Sequence, residues 1–243
     1  MFMSLRLGVV VAFLTMLAGC QTKQNINEAW EQVKTDAQQA YQESKEWFNE
    51  VYADAFSDDD KKEIRKEGKT VLETNVDGEQ KEWTSEQTGA TVTMTPLNTR
   101  VEQKTYDLIF AENVEFPKDI QFLGALYTVA QSTNVRTSPN AAGRVTAWLR
   151  EGDVFRAIGA VEDEEWILVE RYGVIIGYVN KNLVVTTDES KADAGSAKGK
   201  TVTQKISGNT TCRTLEVEVV SKEGGREKKN VNVCFRPDGE WGI

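Results

Sequence analysis

Around Thr70 the spacing of apolar residues changes from three-and-four to two, and that change divides the chain between helix and sheet. Upstream, Ile26, Trp30, Val33, Ala37, Ala40, Ser44, Trp47 and Val51 follow the seam of a heptad repeat, which a helix gathers on one side. Asn25-Ile26-Asn27-Glu28 supplies a start, because an Asn cap with Glu three residues later satisfies two orphan amide donors. The seam is weak, with two alanines and a serine at its centre, while Tyr41, Phe48, Tyr52 and Phe56 add a second apolar strip. Three fates stay open for this helix: packing on its own chain, self-association into a homo-oligomer, or lying on a membrane. Its carboxylates outnumber its lysines, which weighs against the membrane surface, where such helices are usually basic. At 1.5 Å per residue, Ile26 to Val51 would span roughly 39 Å. Ser57 reads as a second cap before Asp58, Asp59 and Asp60, and Gly68 as the stop of a short helix.

Beyond Thr70, Ala90, Val92 and Met94 alternate with Thr91, Thr93 and Thr95, the pattern of a half-buried strand that Pro96 is expected to end. Asp77-Gly78 and Thr88-Gly89 mark turns on either side of Trp83. The expected fold class is therefore mainly β with a long N-terminal α-helix, residues 20–69 forming a helical spacer.

The first nineteen residues have the parts of a secretory signal, with Arg6 as the charge and Leu7 to Ala18 as the apolar core. That core is shorter than the roughly 20 residues a membrane-spanning helix requires. It closes on Leu17-Ala18-Gly19-Cys20, which resembles the signal of bacterial lipoproteins at every position. The resemblance implies a signal peptide over 1–19, lipid attachment at Cys20 and a membrane anchor through that lipid. Gln21, where inner-membrane retention would call for Asp, implies the outer membrane, with the body facing the periplasm. Cys212 and Cys234 then remain as an even pair in an exported chain, where disulfides persist. A formal net charge of −9 argues against a nucleic-acid partner, which needs clustered Lys and Arg.

Tyr127 and Val129 open a second pattern, followed by Asn134-Val135-Arg136-Thr137-Ser138-Pro139, Leu149 with Gly152-Asp153, Trp166 with Val169, and Gly177-Tyr178-Val179. In this order they resemble a bacterial SH3 domain, here assigned to residues 121–186. Gly152 and Gly177 fall where tight bends would leave no room for a β-carbon. The resemblance implies a small barrel and a binding module, with peptidoglycan or an envelope protein as partner. Tyr127, Asn134, Arg136, Trp166 and Tyr178 are the candidate ligand-binding residues. Val174-Ile175-Ile176 departs from the polar residues usual before the glycine: exposed, it would be an apolar contact site, and buried, it would pack on a neighbouring part of the chain.

Residues 187–204, rich in Ala, Gly, Ser and charge, read as a flexible linker. Cys212-Arg213 and then Cys234-Phe235-Arg236-Pro237-Asp238-Gly239-Glu240-Trp241 resemble the end of the seventeen-kilodalton surface antigen lipoprotein family. Trp83, Gly89 and Val92-Thr93-Met94-Thr95-Pro96 are similar to the stretch that precedes it there. Together they imply one small antiparallel β-domain, split into 70–105 and 205–243, with the SH3-like barrel inserted between its halves. The glycine-zipper membrane segment of many such relatives has no counterpart here. Setting Cys212 opposite Cys234 places Leu215 against Val231 and Arg213 against Val233, with Gly224-Gly225 at the turn. A bridge between those cysteines would close a loop of about 22 residues, worth ~3 kcal/mol in the chain-entropy model.

The chain has no histidine, which removes Ser-His and Cys-His hydrolases and the His-containing zinc sites. Its 38 acidic residues include no pair that the sequence places in a cleft for glycoside hydrolysis. No catalytic residue, metal ligand or cofactor is expected. The sequence thus reads as a non-enzymatic cell-envelope lipoprotein whose SH3-like domain binds a periplasmic ligand. The rival reading is a structural lipoprotein whose helix mediates assembly and whose barrel is a packing module.

Overall fold

The computed structural model describes residues 55–161, 165–188 and 199–242. Every described residue lies in one compact unit, Phe48–Ile243. The signal peptide, Cys20 and the heptad from Ile26 to Val51 lie outside the described residues, as does most of the stretch read as linker.

Helix α1 runs from Asp58 to Thr74. Ser57 caps it: its hydroxyl accepts from the Asp60 N–H at 3.2 Å, and the Asp60 carboxylate accepts from the Ser57 N–H at 3.0 Å. Burial pushes the Asp60 carboxyl up, but hydrogen bonds from Ser57 and from the Ser85 hydroxyl outweigh it and hold the group below its ordinary range. The helix continues past Gly68, contrary to the expected stop there and to a sheet starting at Thr70. Gly68 is buried beside Met94, its missing side chain letting the helix approach the sheet, so packing overrides local propensity.

The strands are β1 (Lys81–Thr84), β2 (Thr91–Ala111), β3 (Gln121–Val129), β4 (Thr133–Arg136), β5 (Val145–Leu149) and β6 (Val154–Val161). They continue with β7 (Trp166–Arg171), β8 (Val174–Asn180), β9 (Val184–Thr186), β10 (Thr201–Val220), β11 (Arg226–Phe235) and β12 (Trp241–Gly242). The fold is mainly β, as the period-two alternation implies. β2 and β10 pair antiparallel from Thr91↔Val220 to Ala111↔Thr201, a ribbon of roughly 65 Å at the usual strand rise.

Two expectations fail on this ribbon. Pro96 does not end β2: its carbonyl accepts from the Gly78 N–H at 2.8 Å, so its nitrogen also faces that side, away from β10, and costs the ladder no bond. Thr201 to Gln204 is strand where a linker was expected, because it pairs with Leu108 to Ala111.

Midway, Leu97↔Thr214 and Arg100↔Cys212 bracket an extra residue on β2, with Asn98 at φ +50°. This bulge exchanges the buried face of the ribbon. On one side of it Val92, Met94, Val217 and Val219 are buried, and on the other Leu108, Phe110 and Ile206, which lie on the opposite face by register. β11 adds to the first half with Cys212↔Cys234, Arg213↔Val233 and Leu215↔Val231, the expected register, and Cys212 and Cys234 form a disulfide.

The second half meets strands β3 to β8. β10 bridges to β3 at Asn209↔Gln121 and β2 bridges to β8 at Phe110↔Ile175, so hydrogen-bonded neighbours run β2-β10-β3-β6-β7-β8 and back to β2. Sheet β3-β6-β7-β8 is consequently covered on both faces. One core holds Leu108, Phe110, Trp166, Leu168, Ile175 and Tyr178, and the other Val135, Leu149, Phe155, Ile167, Val169 and Val179.

Candidate functional site

In β4 and β5 the period-two alternation sets which side chains reach solvent. Thr133 faces Leu149 and Val135 faces Ala147, with Val135 and Leu149 fully buried in the core that holds Phe155 and Ile167. Asn134 and Trp148, the pair between them, therefore point outward, and Trp148 is 69% exposed. Among the described residues the Asn134 side chain makes no hydrogen bond, leaving an amide with two donors and one acceptor opposite an indole face. Among the described residues β5 ends the strand order, so its outer edge carries backbone groups that no described strand pairs.

The hairpin is held rigidly. Thr146 donates from its hydroxyl to the Ile176 carbonyl at 2.8 Å, tacking β5 to β8. Arg136 donates from Nη1 to the Gly143 carbonyl at 2.8 Å and so closes the loop between β4 and β5. Gly177 has φ +140° and a β-carbon there would strike the Arg136 carbonyl oxygen, so only glycine lets β8 pass β4 this closely. Gly152 differs from the expectation: the space around it is open, and its requirement is the positive φ of +79° alone.

The five sequence-predicted residues do not converge. Tyr127 is buried and stacks on Phe155 with ring centroids 6.1 Å apart. Trp166 and Tyr178 are buried in the other core, on the opposite face of the sheet, and the Tyr178 hydroxyl donates to the Glu115 carbonyl at 2.6 Å. These three aromatics line no open groove: the ribbon covers Trp166 and Tyr178, and Tyr127 is packed in the core on the other face of the sheet. Asn134 remains at the surface and Arg136 serves the loop. Val174-Ile175-Ile176 follows the buried alternative, with Ile175 against Phe110 of β2 and Ile176 beside the core that holds Phe155 and Ile167. Trp148 was not among the predicted residues, although buried-type Ala147 and Leu149 on either side signal that it points out.

Residues 131–185 match the family model described as Bacterial SH3 domain. The chain carries a bacterial SH3 domain. No curated protein and no solved structure matches the chain. Within the matched residues, the β4–β5 hairpin exposes Trp148 beside Asn134 at the end of the described strand order.

Elsewhere, Glu102, Cys212 and Cys234 bring possible metal-ligand atoms within 4.8 Å of one another. The two sulfurs are joined as a disulfide, so they offer no thiolate. Lys104, with help from Arg100, instead holds the Glu102 carboxyl below its ordinary range against a burial that raises it. No described helix is long and apolar enough to cross a membrane.

Proposed function

We propose that this protein is a non-enzymatic cell-envelope lipoprotein, anchored in the outer membrane through Cys20, whose SH3 domain binds cell-wall peptide on the β4–β5 hairpin. The observation that carries this reading is Trp148, a large aromatic left 69% exposed on a rigid edge hairpin of a domain type that often binds cell-wall material. An indole face and an unpaired amide suit a peptide: the ring takes apolar stem atoms, and Asn134 pairs with one peptide group. The outer edge of β5 can add further main-chain hydrogen bonds, as in strand addition. The absence of histidine and the lipobox ending at Cys20 support the non-catalytic and anchored parts. The segments 70–105 and 205–243 fit a split surface-antigen-like domain, a reading supported by their pairing along the ribbon.

One observation favours the rival structural role: Tyr127, Trp166 and Tyr178 are spent on packing. Co-sedimentation of the full chain with purified cell-wall sacculi separates the two. Binding predicts retention that Trp148→Ala lowers about tenfold, the equivalent of ~1.4 kcal/mol for one aromatic anchor. Absence of retention, or retention equal in the variant, would favour the packing module.

A further inference from the structure

A cavity lined by none of the SH3 strands carries an inference independent of cell-wall binding. It opens between α1 and the sheet formed by β2, β10, β11 and β12, with a volume of about 410 Å³, within the ~300–1,000 Å³ of small-ligand sites. Met94, Leu215, Val217, Val231 and Val233 give it an apolar floor, and the bare backbone at Gly68 faces it from the helix. Its mouth is cationic. Lys61, Arg65 and Lys69 stand four residues apart along one edge of α1, with Glu240 as the only carboxylate in the lining among the described residues. Lys61 pairs with Asp58 at 3.2 Å and Lys69 with Glu240 at 3.2 Å. Arg65, between them, is exposed and makes no ion pair among the described residues. In a chain of net charge −9, a basic mouth on an apolar pocket selects a ligand that is apolar along its body and anionic at one end.

We infer that this cavity binds a single-chain lipid acid, its acyl chain on the Met94–Val217–Val231 floor and its headgroup against the free guanidinium of Arg65. The guanidinium can hold a carboxylate through two parallel N–H donors, which a lysine cannot do.

The test is calorimetric titration of laurate, below its micellar concentration, into the full chain carrying Cys20→Ser, so that the protein brings no acyl group of its own. Saturable one-to-one binding is expected. Acetate, which has the head alone, should not bind, and dodecyl maltoside, which has the chain with a neutral head, should bind at least about tenfold more weakly. Gly68→Leu fills the cavity and should abolish binding. A β-carbon at Gly68 comes within 3.4 Å of Met94 Sδ, a tight contact at which the thioether must give way, so the melting temperature of this variant is measured beside its binding. Should that variant unfold, Arg65→Glu decides, since the exposed side chain can be changed without cost to the core; it should weaken laurate binding about tenfold. Unsaturable uptake, equal binding of laurate and dodecyl maltoside, or indifference to Arg65→Glu would overturn the proposal. So would a concentration-dependent dimer that Gly68→Leu dissolves, because the occupant would then be a second copy.

Discussion

Arg213 ties the helix to the ribbon at a single point. It is buried, and its guanidinium donates to the Leu72 and Asn75 carbonyls, each at 2.8 Å, and to Asp77 Oδ1 at 2.7 Å. The last turn of α1 holds no basic residue, so this arginine from β10 supplies the cation that a helix C-terminus favours. Asp77 also accepts from the Thr99 N–H and hydroxyl, at 2.8 Å and 2.7 Å, inside the bulge that exchanges the ribbon's faces. The Arg213 guanidinium first, and then Thr99, depress the Asp77 carboxyl from 3.8 to about 2. A depressed carboxyl stabilises the fold fully above its unfolded value, and that contribution is lost as pH falls from about 4 toward about 2. Melting temperatures across that window should therefore fall more steeply for the native chain than for Asp77→Asn. Parallel curves would show that the pair contributes nothing to acid stability.

At the scale of elements, the disulfide is the feature that the sequence foretold to the residue. Setting Cys212 opposite Cys234 puts Gly224 at the turn, and the structure pairs the two residues in that register with Gly224 at φ +86°. Replacing either cysteine by serine should lower unfolding free energy by about 3 kcal/mol through the freed loop of the unfolded chain. Chemical denaturation of the variant checks this, and an unchanged midpoint would contradict it. Other elements were misread for identifiable reasons. Gly68 and Pro96 are local breakers, but burial against Met94 and a nitrogen turned away from β10 remove their cost, and neither circumstance is written in neighbouring residues. The ribbon's second half was hidden by the polar Thr201–Gln204, whose burial is slight. Trp166-Ile167-Leu168-Val169 is apolar without alternation, the sequence mark of a strand covered on both faces.

For the molecule as a whole, that double covering has the larger consequence. The SH3 domain does not stand as a separate bead on the chain; Leu108, Phe110 and Ile206 from the ribbon complete the core behind its sheet. Excising residues 121–186 would uncover Trp166, Leu168, Ile175 and Tyr178, so binding experiments belong on the full chain. The same covering buries Trp166 and Tyr178, the core on the other face buries Tyr127, and the β4–β5 hairpin is left, where Asn134 was legible from the family pattern and Trp148 only from its flanking residues. The central claim is that cell-wall peptide binds at that hairpin. Hydrogen–deuterium exchange of the full chain with and without soluble cell-wall stem peptide tests it most directly. The account predicts slowed exchange confined to Thr133–Arg136 and Val145–Leu149. Protection that falls elsewhere, or none at saturating peptide, would contradict it.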